Sequence, residues 1–260
     1  MNTTQRYFLE LAYNGTTYHG WQIQQNALSV QELINKALST ICRVEIETLG
    51  CGRTDTGVHA RQLFAHTDIP VDIDVMNPRF LISINAMLPY DIVLKRFIKV
   101  APEAHARFDA SLRSYEYHIH FKKDPFLHNL SWLLRDKPDM VLMNKAAELM
   151  MEYRDFSCFS KSNTQTFTNN CVINRAEWLP TDKGIVFYIS ADRFLRNMVR
   201  AIVGTLVRIG KKEMNVEDIR SIIESKDRSN AGESVPACGL FLTEVKYSYI
   251  TDDIKMSGLV

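Results

Sequence analysis

The chain has 260 residues, with 31 Lys+Arg against 30 Asp+Glu for a formal net charge of +1, and a hydrophobic share of 46%. That share supports a real core and excludes wholesale disorder, and the length suits one large domain or two smaller ones. A near-neutral charge excludes a whole-molecule basic field, so any RNA binding would rest on a local basic patch.

Met1 to Arg6 is polar and leads straight into a strand, so neither a signal nor a transit peptide is expected. No apolar run approaches a membrane-spanning length. The five cysteines, Cys42, Cys51, Cys158, Cys171 and Cys238, include no Cys-x-x-Cys pair. Reduced thiols in a cytoplasmic protein are expected, with no thiolate zinc site.

In chain order, Arg6 to Tyr13 reads as an aromatic-rich strand. Tyr13 to Gln22 is rich in turn, aromatic and amide residues, which suggests a hairpin turn or a nucleic-acid or dimer contact. Ser29 to Cys42 is a helix with one apolar stripe through Val30, Leu33, Ile34, Ala37, Leu38 and Ile41, opened by a Ser29/Glu32 capping box. Glu45 to Leu49 and Gln62 to Ile69 read as partner strands flanking a Gly-Arg-Thr-Asp loop. Asn77-Pro78 opens a second helix, and Asp91 to Val100 is another strand.

A second unit is expected to begin near Ala101-Pro102, dividing the chain into residues 1–104 and 105–260. Ser114 to Phe121 alternates, with Tyr115, Tyr117, Ile119 and Phe121 on one face and Glu116, His118 and His120 on the other. The two histidines lack an evident third ligand, so a solvated face is expected there. Asp139 to Met151 reads as a helix, and Val172 to Trp178 with Gly184 to Ala191 as a strand pair. Lys161 to Asn170 reads as a polar surface loop. Phe194 to Ile209 reads as an apolar helix ending at Gly210, with Asn215 to Glu224 a shorter one and Leu240 to Tyr249 a last strand. Two α+β units are the expected architecture.

The chemistry concentrates in Cys51-Gly52-Arg53-Thr54-Asp55-Thr56-Gly57-Val58-His59-Ala60. Two glycines bracket one carboxylate beside an arginine and two hydroxyls. Such residues commonly make an inert turn. They also suit a shaped loop that positions Asp55 as nucleophile, base or ligand, with Arg53 able to hold a carboxylate or a phosphate.

Tyr115 on an apolar strand face is ordinarily a core residue, but at a cleft rim it would stack on a base or sugar. Arg196 and Arg200, four apart, are expected to share the edge of the apolar stripe through Phe194, Leu195, Met198, Val199, Ile202, Val203 and Leu206. Edge arginines usually snorkel. One reaching into a cleft would favour the anionic carboxylate that a nucleophile needs. No phosphate-cradling loop or dinucleotide fingerprint is present.

Together these segments resemble the TruA family of tRNA pseudouridine synthases. The matching stretches, in family order, are Tyr13 to Gln22, Gly50 to Ala60, His105 to Tyr117, Asp155 to Phe159, Arg193 to Gly204 and Gly239 to Leu242. The resemblance implies an α+β fold of two ferredoxin-like halves, joined into an extended, mostly antiparallel sheet with helices on one face and a basic cleft between the halves. It implies a homodimer that isomerises uridines 38, 39 and 40 of the tRNA anticodon stem-loop.

By the same resemblance Asp55 is the catalytic nucleophile and Arg200 its ion-pair partner. Tyr115 packs on the target base, and Leu240 lines the pocket. Arg53 contacts phosphate or keeps the flipped base out. Arg196, from its place beside Arg200, is a further candidate for substrate binding. Thr56 stands where the family usually has Ala. The reaction is redox-neutral and needs no cofactor or metal. The base must first be flipped out, which costs a few kcal/mol. Attack at ribose C1′ and at base C6 both stay open. Two rivals remain: a tRNA-binding protein that forms no pseudouridine, and a glycosylase that releases free uracil.

Overall fold

A computed structural model describes residues 3–161 and 168–250. Among the described residues it contains nine strands and five α-helices, an α+β fold. The chain divides into two compact units, Met1–Ser111 with Leu242–Val260, and Leu112–Phe241.

In the first unit, β1 (Thr4–Tyr13) lies between two antiparallel neighbours and buries Phe8, Leu9 and Leu11 fully. Helix α1 (Val30–Cys42) starts where expected, with the Ser29 hydroxyl accepting the Glu32 N–H. Strand β2 is only Leu49–Gly50. The expected strand over Glu45 to Leu49 does not form, because side chains take its backbone groups. Ser39 Oγ accepts the Ile46 N–H, Asn35 Oδ1 accepts the Thr48 N–H, and Thr67 donates to the Glu47 carbonyl. Both Ser39 and Asn35 come from α1, so the segment is sewn to a helix and not to a ladder.

Strand β3 (His59–Pro70) pairs with β1 and β2. Its register with β1 slips between Leu11 and Tyr13, next to the Gly-Arg-Thr-Asp loop. Helix α2 (Pro78–Met87), capped by Asn77 with Pro at its first position, packs on α1 and on β4 (Ile92–Lys99).

The second unit carries all but the first two residues of β5 (Ala110–His120), with the short β6 (Trp132–Leu133) parallel to it. Helix α3 (Met140–Met150) is capped by Asp139. Strands β7 (Ile173–Pro180) and β8 (Gly184–Ala191) are antiparallel, and β8 also pairs with β5. Helix α4 (Met198–Gly210) has a buried apolar face and packs with α3, which also meets α5 (Asp218–Ser225) and β7. Of the polar loop expected at Lys161 to Asn170, residues 162–167 lie outside the described residues.

Two expectations fail here. His120 is buried, with its Nδ1 on Ser131 Oγ at 3.0 Å, and His118 faces Glu116 at 2.9 Å. Ser131, next to β6, closes off His120, while the half-buried His118 packs against Phe241 at 5.0 Å. Helix α4 starts at Met198 and not at Phe194. Asn197 sits at φ +66, a left-handed conformation that no helix can run through. Its side-chain amide donates to the Ser234 hydroxyl instead.

The last strand, β9 (Leu240–Tyr247), returns the chain to the first unit. Tyr247 donates to the Ala106 carbonyl at 2.6 Å and packs edge-on against Phe8 and Phe64. Tyr249 donates to Asp109. The compact division follows Ser111, where the sequence suggests a boundary at 104/105, and assigns the segment from Leu242 on to the first unit.

Candidate active site

In the first unit, Asp55, Thr56, Gly57 and Val58 form a tight turn closed by the Val58 N–H on the Asp55 carbonyl at 3.1 Å. Gly57 lies at φ +78, the conformation that the third position of a type II turn requires. A Cβ on Gly52 would meet nothing within 4 Å, so the turn requirement falls on Gly57. Asp55 is half-buried, Arg53 and Thr56 are exposed, and Thr54 is buried.

This loop rests on the segment 13–21. Tyr13 and Thr54 share a hydroxyl–hydroxyl bond of 2.8 Å. The Gly57 N–H donates to the Tyr18 carbonyl, and the Gly15 N–H to His59 Nδ1 at 3.0 Å. A Cβ on Gly50 would lie 2.4 Å from the Trp21 indole nitrogen. The segment is itself tied down where Tyr18 donates to Asp91; burial and that bond push the phenol up to about 12. It is no simple hairpin turn: it holds a short 3-10 turn, Gly15–Thr17, and serves as the bed of the Asp55 loop. Thr54, one of two hydroxyls expected beside the carboxylate, spends its hydroxyl on Tyr13.

In the second unit, Tyr115 is half-buried on β5 opposite Ile189, with its ring edge-on to Phe194 at 5.1 Å. Arg113 donates to the Asp192 carbonyl. Arg200, in the first turn of α4, donates from Nε to the Val235 carbonyl at 2.8 Å, and the Val235 N–H returns to the Arg200 carbonyl. Arg196 is exposed in the turn before α4, so the two arginines do not share one helix edge. Its carbonyl accepts the Lys161 N–H.

Leu240 is buried at the start of β9. The segment leading to it is clamped along its length. A Cβ on Gly204 would lie 1.9 Å from the Glu233 carbonyl oxygen, and the Gly232 N–H donates to Thr205 Oγ1. Tyr117 donates to the Pro236 carbonyl at 2.7 Å, and burial drives its phenol far above the usual range. The unit thus fixes Arg200, Pro236 and Leu240 by one strap. Among the described residues no group of three or more His, Cys, Asp or Glu is placed to hold a metal ion.

A family model described as tRNA pseudouridine synthase matches residues 146–248. The tRNA pseudouridine synthase A of Porphyromonas gingivalis is 49% identical over 93% of this chain and 97% of its own. Its counterpart in Bacteroides fragilis is 47% identical over 94% of this chain and 97% of its own. That of Acetivibrio thermocellus is 38% identical over 92% and 98%.

The chain belongs to the tRNA pseudouridine synthase A family. It is an isomerase family whose reaction converts uridine in tRNA to pseudouridine. Sequence reasoning missed two parts of this synthase: the bed formed by residues 13–21 and the strap 231–239. The signal for both lay in glycines, Gly15, Gly20 and Gly50 for the bed and Gly204, Gly232 and Gly239 for the strap. Each stands where a Cβ would meet a neighbouring atom at 2.8 Å or less.

Proposed function

We propose that this chain isomerises uridines 38, 39 and 40 of the tRNA anticodon stem-loop, with Asp55 as the nucleophile. The observation that carries the reading is the Asp55 turn: one half-exposed carboxylate on a loop held by hydrogen bonds and close contacts along residues 13–21. Such preorganisation is what covalent catalysis asks of a carboxylate.

In this reading Arg200 is the counter-ion of Asp55, its guanidinium already oriented by the Val235 carbonyl. Tyr115 stacks on the flipped base, and Leu240 lines the apolar wall against it. Arg53, exposed beside the nucleophile, and Arg196, exposed before α4, meet phosphate. The N1–C1′ bond breaks, the uracil turns, a C5–C1′ bond forms, the C5 proton leaves to solvent and N1 takes a proton up. Attack at C1′ and at C6 release the same proton. Each unit is taken as a ferredoxin-like half, and the working form as a cytoplasmic homodimer. Support for the tRNA reading comes from the bacterial relatives, matched over nearly their whole length. No described helix is long and apolar enough to cross a membrane.

The test is release of tritium from C5 of labelled tRNA uridine, combined with pseudouridine mapping at positions 38–40. Wild type should release label in proportion to enzyme, and Asp55→Asn should release none. An active Asp55→Asn variant sinks the nucleophile assignment. Free uracil with an abasic site would mark a glycosylase instead.

A further inference from the structure

The turn between β4 and β5 carries a feature that the catalytic assignment does not use. Phe108 is 74% exposed. Leaving such a ring in water forgoes the stabilisation that its burial would bring. Yet the ring is held in place. One side lies on the His105 imidazole, centroids 4.2 Å apart and planes 31° apart, and the Arg107 guanidinium lies over the ring, 5.6 Å from its centroid.

The backbone under this stack is fixed at several points. His105 Nδ1 accepts the N–H groups of Arg107 and Phe108 at 3.1 and 3.3 Å. The His105 N–H donates to Asp109 Oδ2, and the Asp109 N–H to the His105 carbonyl. Between them Ala106 is fully buried, donating to His66 Nδ1 and accepting from Tyr247. The His105 ring in turn meets His66 at 4.6 Å. Two residues, Arg107 and Phe108, are thus pushed outward from an immobilised base.

An exposed aromatic ring with a guanidinium lying over it matches one chemistry closely. A nucleobase stacks on the ring in place of the guanidinium, and the base's neighbouring phosphate takes the cation. A protein partner would call for a broader apolar surface. Phe108 is the one large apolar side chain that the turn exposes.

We propose that the turn His105–Asp109 is a stacking platform for one unpaired nucleobase of the RNA substrate, with Phe108 beneath the base and Arg107 at the adjoining phosphate. This rests on the tRNA reading above and adds a contact remote in sequence from the Asp55 loop.

The test compares wild type, Phe108→Leu, Phe108→Trp and Arg107→Gln with full-length tRNA. Phe108→Leu should raise KM for tRNA about tenfold, more than it lowers kcat, the order of loss expected for one stacked base. Phe108→Trp should restore KM, and its added indole emission, relative to wild type, should be quenched by tRNA. Arg107→Gln should raise KM and flatten its salt dependence. An unchanged KM in Phe108→Leu, a loss that Trp fails to rescue, or a changed oligomeric state in Phe108→Leu would overturn the platform. Wild type that forms no pseudouridine would overturn the functional reading alone, because the indole quenching reports RNA contact without turnover.

Discussion

Gly20 and Thr54 touch with no room to spare: a Cβ on Gly20 would stand 2.1 Å from the Thr54 carbonyl oxygen. Gly20 also sits at φ +85, so any side chain there is strained twice over. Thr54 precedes Asp55, so the bed and the carboxylate move together. Gly20→Ala should lower Tm by several degrees and cut kcat more than tenfold, read by a thermal melt and by tritium release. A lower Tm with intact kcat would show that the Asp55 turn holds its geometry without Gly20.

The Tyr13–Thr54 hydroxyl pair should matter less. Tyr13→Phe removes one buried hydrogen bond and leaves the Thr54 hydroxyl to find another partner, a cost of about 0.5–1.5 kcal/mol. Chemical denaturation should show that loss with an unchanged m-value, while kcat falls only a few-fold.

Arg200 is expected to act through its shape as well as its charge. Its Nε is committed to the Val235 carbonyl, which aims the rest of the guanidinium. Arg200→Lys keeps the charge and loses the fork. We expect kcat to fall at least tenfold with KM for tRNA little changed. Wild-type kcat in this variant would reduce Arg200 to a plain cation.

Asn197 offers a cleaner backbone test. At φ +66 it tolerates glycine, whereas alanine pays the left-handed penalty of about 1–2 kcal/mol. Both variants lose the bond to Ser234. Asn197→Ala should therefore melt below Asn197→Gly, and equal melting would mean that the side-chain bond, not the backbone, sets the start of α4.

Acid should loosen the first unit through His66. Burial, together with the positive charges of His105 and Arg6, pushes its pKa from 6.5 down to about 4, against the opposing pull of Asp68 and Asp109. Its Nδ1 is occupied by the Ala106 N–H, so the folded ring resists a proton that the unfolded chain accepts. The contribution is complete above about pH 6.5 and is lost progressively as pH falls toward about 4. His66→Asn keeps an acceptor in place of Nδ1 and removes the titration. Its Tm should fall less than wild type between pH 7 and pH 5, and an equal fall would assign the acid sensitivity elsewhere.

Much of this fold was legible because local rules and burial agreed. The Ser29 cap, the Asn77-Pro78 start and the alternation of β5 all mark real elements. Two misreadings, the strand over Glu45 to Leu49 and the start of α4, share one cause: side-chain bonds to residues outside the segment. Nothing near Glu45 announces that Ser39 and Asn35 will take its neighbours' N–H groups. Nothing near Phe194 announces that Ser234 will hold Asn197 in a left-handed turn. For the candidate site, the motif around Asp55 was plain in the sequence. The bed at 13–21 and the strap at 231–239 were hidden, because their glycines have meaning only against what they touch.

Synthesis order sets a consequence for the interleaved chain. The second unit, Leu112–Phe241, is continuous and can close as soon as its own residues leave the ribosome. The first unit begins earlier but lacks Tyr247 until the end, and with it the ring that lies between Phe8 and Phe64 and the hydroxyl that holds Ala106. The half bearing Asp55 is thus started first and finished last. A nascent chain stalled before β9 would carry a completed Arg200 strap beside an uncompleted nucleophile unit, which timed proteolysis of stalled chains can read directly.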